Sequence, residues 1–158
     1  MEKKEAAMDE QSGAKSKTYL PEGMPAPAAS RDGLDREFYE AAKRHEVVVQ
    51  RCARCAAFQF PAEWICHKCH TFDPQWHRVS GRGRIYSWER VWHPAHPALK
   101  GACPYLVVVV ELEDAGGVRM VGNLLGDPMQ EVRFDAKVEA AFEDHPAGHT
   151  LIQWRLVG

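Results

Sequence analysis

From about residue 81 onward, apolar side chains recur at every second position in short runs separated by turn residues. That is the period of half-buried β-strands. The pattern predicts strands over Arg84–Trp92, Tyr105–Glu113, Val118–Leu125, Lys137–Glu143 and Thr150–Val157, with a shorter one at Val132–Phe134. Gly116-Gly117 reads as a hairpin turn, and Gly126-Asp-Pro128 breaks the chain again. Five main strands with short connections suit a small antiparallel barrel or sandwich. Val107, Val109, Leu112 and Val121 are expected in or against its core.

Upstream the period changes. Leu34, Phe38, Ala41, Ala42 and His45 recur at helical spacing, with Asp32 as the expected N-cap and Asp35 in the first turn. Asp32/Arg36 and Glu40/Arg44 are spaced for ion pairs on a solvated face. Glu46–Arg51 reads as a strand leading into a cysteine pair, and Phe58–Pro61 as a second short strand that closes a hairpin over it. Residues 1–29 are rich in Glu, Lys, Ala, Ser, Gly and Pro, which predicts a disordered tail. The layout is then a tail over 1–29, a helix with a cysteine module over 30–79, and a β domain over 80–158, with no internal repeat.

Composition narrows the class. The chain has 158 residues, 45% of them hydrophobic and 27% charged, the balance of a soluble globular protein. A net charge of −2 argues against a dedicated nucleic-acid binder, which carries a basic excess. No apolar run approaches a membrane span, and the first residues lack the apolar segment of a secretory signal. The expected compartment is a reducing cytoplasm, where cysteines serve as metal ligands or reactive groups more often than as disulfides.

Four cysteines form two pairs of one spacing, Cys52-x-x-Cys55 and Cys66-x-x-Cys69, ten residues apart. Two intervening residues let both thiolates of a pair face one ion from a tight turn, with nearby backbone N–H groups bonding the sulfurs. Two such knuckles make a closed tetrahedron around one structural ion. Zinc suits a redox-inert staple, while iron in the same four thiolates would make an electron carrier. His67 and His70 flank the second pair, but a filled tetrahedron has no place for them, so they read as surface residues. Cys103 stands alone in a Pro-rich loop without a recognisable base beside it, and no catalytic residue is assigned.

The order of these parts resembles a known family. Phe38-Tyr39-Glu40, Val49-Gln50-Arg51-Cys52, Phe60-Pro61 and Cys66-x-x-Cys69 are similar to its N-terminal helix and rubredoxin-like zinc ribbon. Trp76, Ser80-Gly81-Arg82-Gly83, Ile85-Tyr86-Ser87, Pro104-Tyr105, Glu111-Leu112 and Val121-Gly122-Asn123-Leu124 are similar to its OB-fold. This is the acyl-CoA-associated family of zinc-ribbon and OB-fold proteins, long catalogued as a domain of unknown function. The likeness covers roughly residues 33–157. It implies a mainly β chain: an N-terminal helix and zinc ribbon, then a five-stranded antiparallel OB-fold barrel.

The resemblance also implies a role. Members act as non-catalytic partners of thiolase-fold enzymes, among them thiolases, hydroxymethylglutaryl-CoA synthase-like enzymes and steroid side-chain aldolases, in heteromeric complexes. Some carry a fused hydratase domain, for which 158 residues leave no room. Short members stand beside thiolases of anaerobic aromatic degradation, such as that acting on benzoylsuccinyl-CoA. The expectation is a zinc-binding accessory subunit of a thiolase-like enzyme, which braces its partner and helps form an acyl-CoA site.

One segment is distinctive. His93 to Pro104 is a connection with several prolines between the first two barrel strands, where OB-folds build binding surfaces. Trp92, His93, His96 and Lys100 are its candidate ligand or partner contacts. The alternative is a single-strand nucleic-acid binder that stacks bases on Tyr86, Trp88 and Trp92 beside Arg82, Arg84 and Arg90.

Overall fold

The computed structural model describes residues 20, 21 and 23–158, so the expected tail lies largely outside the described residues. Among the described residues one helix, α1 (Arg36–Lys43), precedes eight strands: β1 (Val47–Arg51), β2 (Phe58–Gln59), β3 (Gln75–Val79), β4 (Arg82–Val91), β5 (Tyr105–Leu112), β6 (Arg119–Asn123), β7 (Lys137–Asp144) and β8 (Thr150–Leu156). A single 3-10 turn, Pro97–Leu99, interrupts the β4–β5 connection.

The helix begins three residues later than expected, with Asp35 rather than Asp32 at the N-cap. Asp32 Oδ1 instead accepts from the Leu34 amide at 3.1 Å, and Asp35 Oδ1 accepts from the Ser30 amide at 2.7 Å. Short acidic side chains that bond their own backbone hold a turn open against the helix. The helical ion pairs are Lys43–Glu40 and Arg44–Glu37 rather than the two expected. Ala41 and Ala42 are buried where α1 packs on β1 and β8.

Two sheets follow. The first has the order β2-β1-β3 and carries the cysteines. Its third strand, Gln75–Val79, was not expected, because its two apolar residues, the half-buried Trp76 and the buried Val79, do not alternate with period two. The second sheet has the order β6-β5-β4-β7-β8, all antiparallel. A parallel bridge between Leu124 and Trp154, with the Leu125 amide donating to the Trp154 carbonyl at 2.7 Å, joins β6 to β8 and closes the sheet on itself. Five strands closed in this way are an OB-fold barrel.

Ile85, Leu106, Val108, Val110, Leu124, Val138 and Trp154 fill the interior, and the same cluster takes in Val47, Val49 and Val79 of the first sheet. The ribbon sheet therefore rests on the barrel through one continuous core. Of the expected core positions in β5, Leu112 is buried, but Val107 and Val109 are out of phase with it. Leu106, Val108, Val110 and Leu112 face inward, while Val107 and Val109 are half-buried on the other face. A run of four valines has no polar position to set the phase, but Glu111, which shares a face with Val107 and Val109, does. Val121 is exposed, and Met120 is the buried residue of β6. The short strand expected at Val132–Phe134 is coil: Val132 is buried in the core, and Phe134 is 67% exposed.

Two glycines are set by close approach. A Cβ on Gly83 would collide with the Glu111 carbonyl oxygen, because β4 is squeezed between β5 and β7 at that point. A Cβ on Gly122 would lie 2.8 Å from the indole of Trp154. The register of β4 slips between Ile85 and Ser87, and Tyr86 is half-exposed at that bulge.

Candidate metal centre

Each cysteine pair sits on a turn of one design. In the first, the Cys52 amide donates to the Ala57 carbonyl and the Ala56 amide to the Cys52 carbonyl, both at 2.9 Å. In the second, the Cys66 amide donates to the Thr71 carbonyl and the His70 amide to the Cys66 carbonyl, both at 2.9 Å. Ala56 and His70 have the same left-handed backbone, with φ of 58° and 57°. The pairs are copies of a seven-residue unit, Cys52-Ala-Arg-Cys-Ala-Ala-Phe58 and Cys66-His-Lys-Cys-His-Thr-Phe72. The chain thus contains a short internal repeat, contrary to expectation. It is visible once the cysteines are aligned.

The two turns bring all four sulfurs within 4.8 Å of one another. Cys52 Sγ lies 3.5 Å from Cys69 Sγ, and Cys55 Sγ lies 3.6 Å from Cys66 Sγ. Disulfide sulfurs would be about 2.05 Å apart. Four thiolates around zinc, at about 2.3 Å each, have sulfur–sulfur edges of ~3.8 Å. The arrangement fits a tetrahedral metal ion. Cys52 and Cys66 are buried, and Cys55 and Cys69 half-buried.

The sulfurs do not share one electrostatic environment. Cys69 is held down to about 6 by the Thr71 hydroxyl, then by the Thr71 amide. Cys66 is also lowered, first by the Cys69 amide. The Ala57 amide pulls Cys55 down, but burial and the three other cysteines outweigh it and push the thiol up to about 11. Four thiols this close cannot all ionise without a cation among them, which is the chemistry of a metal site.

A buried glutamine pair lies behind the ribbon. Gln59 donates to the Gln50 carboxamide oxygen at 2.9 Å and accepts from the His67 amide at 3.1 Å, while Gln50 accepts from the Glu63 amide at 2.9 Å. It links β1 and β2 to the second knuckle. In the sequence these residues read as ordinary strand positions, and nothing there announces their role. His67 and His70 are exposed and are not in the ligand cluster.

Trp92, His93, His96 and Lys100 all lie on the exposed β4–β5 connection, with Trp92 57% exposed. His96 Nδ1 accepts from the Ala98 amide at 3.2 Å and caps the 3-10 turn, so its ring is committed to the shape of the loop. Two of the residues considered for base stacking and phosphate contact are engaged elsewhere. Trp88 packs against the core, and the Arg90 guanidinium donates to the carbonyls of Pro128 and Gln130 at 2.7 and 2.9 Å. Cys103 is half-buried.

Comparison with known proteins agrees with this geometry. The family model described as "ChsH2, rubredoxin-like zinc ribbon domain" matches residues 40–75, and "ChsH2, C-terminal OB-fold domain" matches residues 76–143. A probable enoyl-CoA hydratase alpha subunit of Thermomonospora curvata is 40% identical over 102 residues, covering 65% of this chain and 30% of that protein. The chain thus spans less than a third of that relative. A DUF35 domain-containing scaffold protein of Methanothermobacter thermautotrophicus is 28% identical over 101 residues, covering 63% of this chain and 74% of that one. Among solved structures, a chain of the Ltp2-ChsH2(DUF35) aldolase superposes with a TM-score of 0.72 at 33% identity, covering 83% of this chain and 98% of that chain.

Proposed function

The chain belongs to the ChsH2 (DUF35) family of zinc-ribbon and OB-fold proteins, and from that membership we propose that it is a zinc-binding, non-catalytic subunit of a heteromeric acyl-CoA enzyme. The observation that carries this reading is the match to nearly the whole ChsH2(DUF35) chain of an aldolase. A subunit of one hydratase and a scaffold protein among the relatives support it. In this reading the four cysteines hold one zinc ion, which ties the two knuckles of the ribbon together. The partner supplies the reacting groups.

The finer reading is that the partner has a thiolase fold and attacks a 3-oxoacyl-CoA through its own thiolate, as in benzoylsuccinyl-CoA thiolysis. The resemblance of the Ser80–Gly83 and Pro104-Tyr105 motifs to partners of such enzymes supports it. The contacting surface would combine the exposed β4–β5 connection, with Trp92, His93, His96 and Lys100, and the base of the second knuckle, where Ile65 pairs with Phe72. That base exposes Trp64 and Phe72, the latter at 70%. Exposed aromatic groups of this kind anchor interfaces, and a stable one would bury well over roughly 1,000 Å². Lys100 would meet a CoA phosphate.

The test is co-expression of the tagged chain with candidate acyl-CoA enzymes of the same organism, followed by light scattering and metal analysis. One zinc per chain and a stoichiometric complex are expected. A chain that carries iron refutes the metal reading. One that co-purifies with no acyl-CoA enzyme, and binds single-stranded nucleic acid in a salt-sensitive manner, refutes the subunit reading.

A further inference from the structure

The two knuckles share a backbone but differ in what meets their outer sulfur. Cys55 and Cys69 are equivalent, both half-buried, and each is followed two residues later by an equivalent position, Ala57 or Thr71. Both positions direct a backbone amide at the sulfur. Only the second adds a hydroxyl: Thr71 Oγ1 lies 3.3 Å from Cys69 Sγ. As a thiol, Cys69 donates to that oxygen. As a metal-bound thiolate it has no proton to give, so the hydroxyl must turn and donate to sulfur. The methyl of Ala57 offers Cys55 nothing equivalent.

A hydrogen bond to a thiolate withdraws charge from sulfur, lowers its nucleophilicity and orients its lone pairs on the metal. We propose that the Thr71 hydroxyl is a positioning donor to the metal-bound Cys69 thiolate, and that its absence from the first knuckle makes Cys55 the ligand through which soft electrophiles open the centre. The proposal rests on the zinc reading given above. With an alkyl halide the step is a displacement. Cys55 Sγ forms a bond to the methylene carbon, the carbon–halogen bond breaks, and the halide leaves with the electron pair. No proton moves. The product is a neutral thioether, a far weaker zinc ligand than a thiolate, so the ion is left with three thiolates and dissociates readily. The buried Cys52 and Cys66 are shielded from such a reagent.

The experiment treats the zinc-loaded full chain with excess iodoacetamide. The alkylation rate of each cysteine is followed by peptide mass, and zinc release by a chromophoric chelator. Cys103, which is not in the ligand cluster, serves as the internal free-thiol reference. In the wild type, Cys55 is expected to react roughly tenfold faster than Cys69, at the low end of effects for groups that orient metal ligands, and zinc should leave with the rate constant of Cys55. Thr71→Val keeps the shape and removes the donor, and should bring Cys69 to the rate of Cys55. Thr71→Ser restores the donor and should restore the order. Ala57→Ser should slow Cys55. A chain that holds no zinc before reagent is added overturns both this proposal and the metal reading beneath it. A zinc-loaded chain in which Cys69 reacts as fast as Cys55, or in which Thr71→Val leaves the order unchanged, overturns this proposal alone.

Discussion

The side-chain amide of Gln59 donates to the side-chain oxygen of Gln50 at 2.9 Å, and both residues are buried. The pair makes the second knuckle part of the sheet that carries the first, since Gln59 also accepts from the His67 amide. Replacing Gln59 by Leu leaves that amide and the Gln50 oxygen with one partner fewer in a buried place. A buried polar group left unmatched costs about 1–3 kcal/mol. Gln59→Leu should therefore lower the thermal midpoint by several degrees, at about 2–4 °C per kcal/mol for a chain of this size. An unchanged midpoint in the zinc-loaded protein would show that the pair contributes nothing.

Gly122 is predicted to tolerate no side chain. Its missing Cβ would lie 2.8 Å from the indole of Trp154, a fully buried residue at the seam that closes the barrel. Gly122→Ala must push the ring aside or open the seam. Overpacking of this kind costs about 1–3 kcal/mol. Thermal unfolding should show the loss, and tryptophan fluorescence should shift as Trp154 is displaced. A variant as stable as the wild type would place the ring elsewhere.

Much of this architecture was legible in the chain. The cysteine pairs could be read because ligation by a tight turn is local, and five strands could be read from alternation. β3 was missed because the apolar residues of Gln75-Trp-His-Arg-Val79, Trp76 and Val79, are three apart and do not alternate, although the strand pairs with β1 along its whole length. Val107 and Val109 were misplaced on the inward face of β5 because Val107 to Val110 carry no polar mark, although Glu111 sets the phase and Leu112 is buried as expected. The Gln50–Gln59 pair depends on two strands meeting in space, which no local pattern reveals. The unequal knuckles were legible in principle: aligning Cys52–Phe58 with Cys66–Phe72 sets Ala57 against Thr71.

Acid should weaken the tie between the helix end and the barrel. The Asp144 carboxylate accepts from the Thr150 hydroxyl at 2.7 Å and lies 2.9 Å from His45 Nε2, and these contacts, Thr150 first, hold its pKa below the ordinary 3.8. A carboxyl depressed by folding contributes stability above its unfolded value, and that contribution is lost as pH falls through the folded value. Asp144→Asn should therefore be less stable than the wild type at neutral pH, and the two should converge below about pH 4. Denaturant unfolding across pH checks this. A difference that stays constant into acid would rule out the carboxylate as its source.

Removing one ligand should release the ion. Cys66→Ser replaces a buried thiolate with a hydroxyl that binds zinc poorly, and the ribbon's turns then lose their common anchor. Elemental analysis should show the metal lost, and proteolysis should cut first between residues 52 and 72. Full metal retention in this variant would mean that Cys66 is not a ligand.

The central claim is that this chain completes an acyl-CoA enzyme without performing its chemistry. The most direct measurement is turnover of a 3-oxoacyl-CoA with CoA by the isolated chain, by a thiolase-fold enzyme that co-purifies with it, and by the two together. The expected result is no turnover by the chain alone, full turnover only in the complex, and no effect of Cys103→Ala on that rate. Turnover by the isolated chain that disappears in Cys103→Ala would contradict the claim.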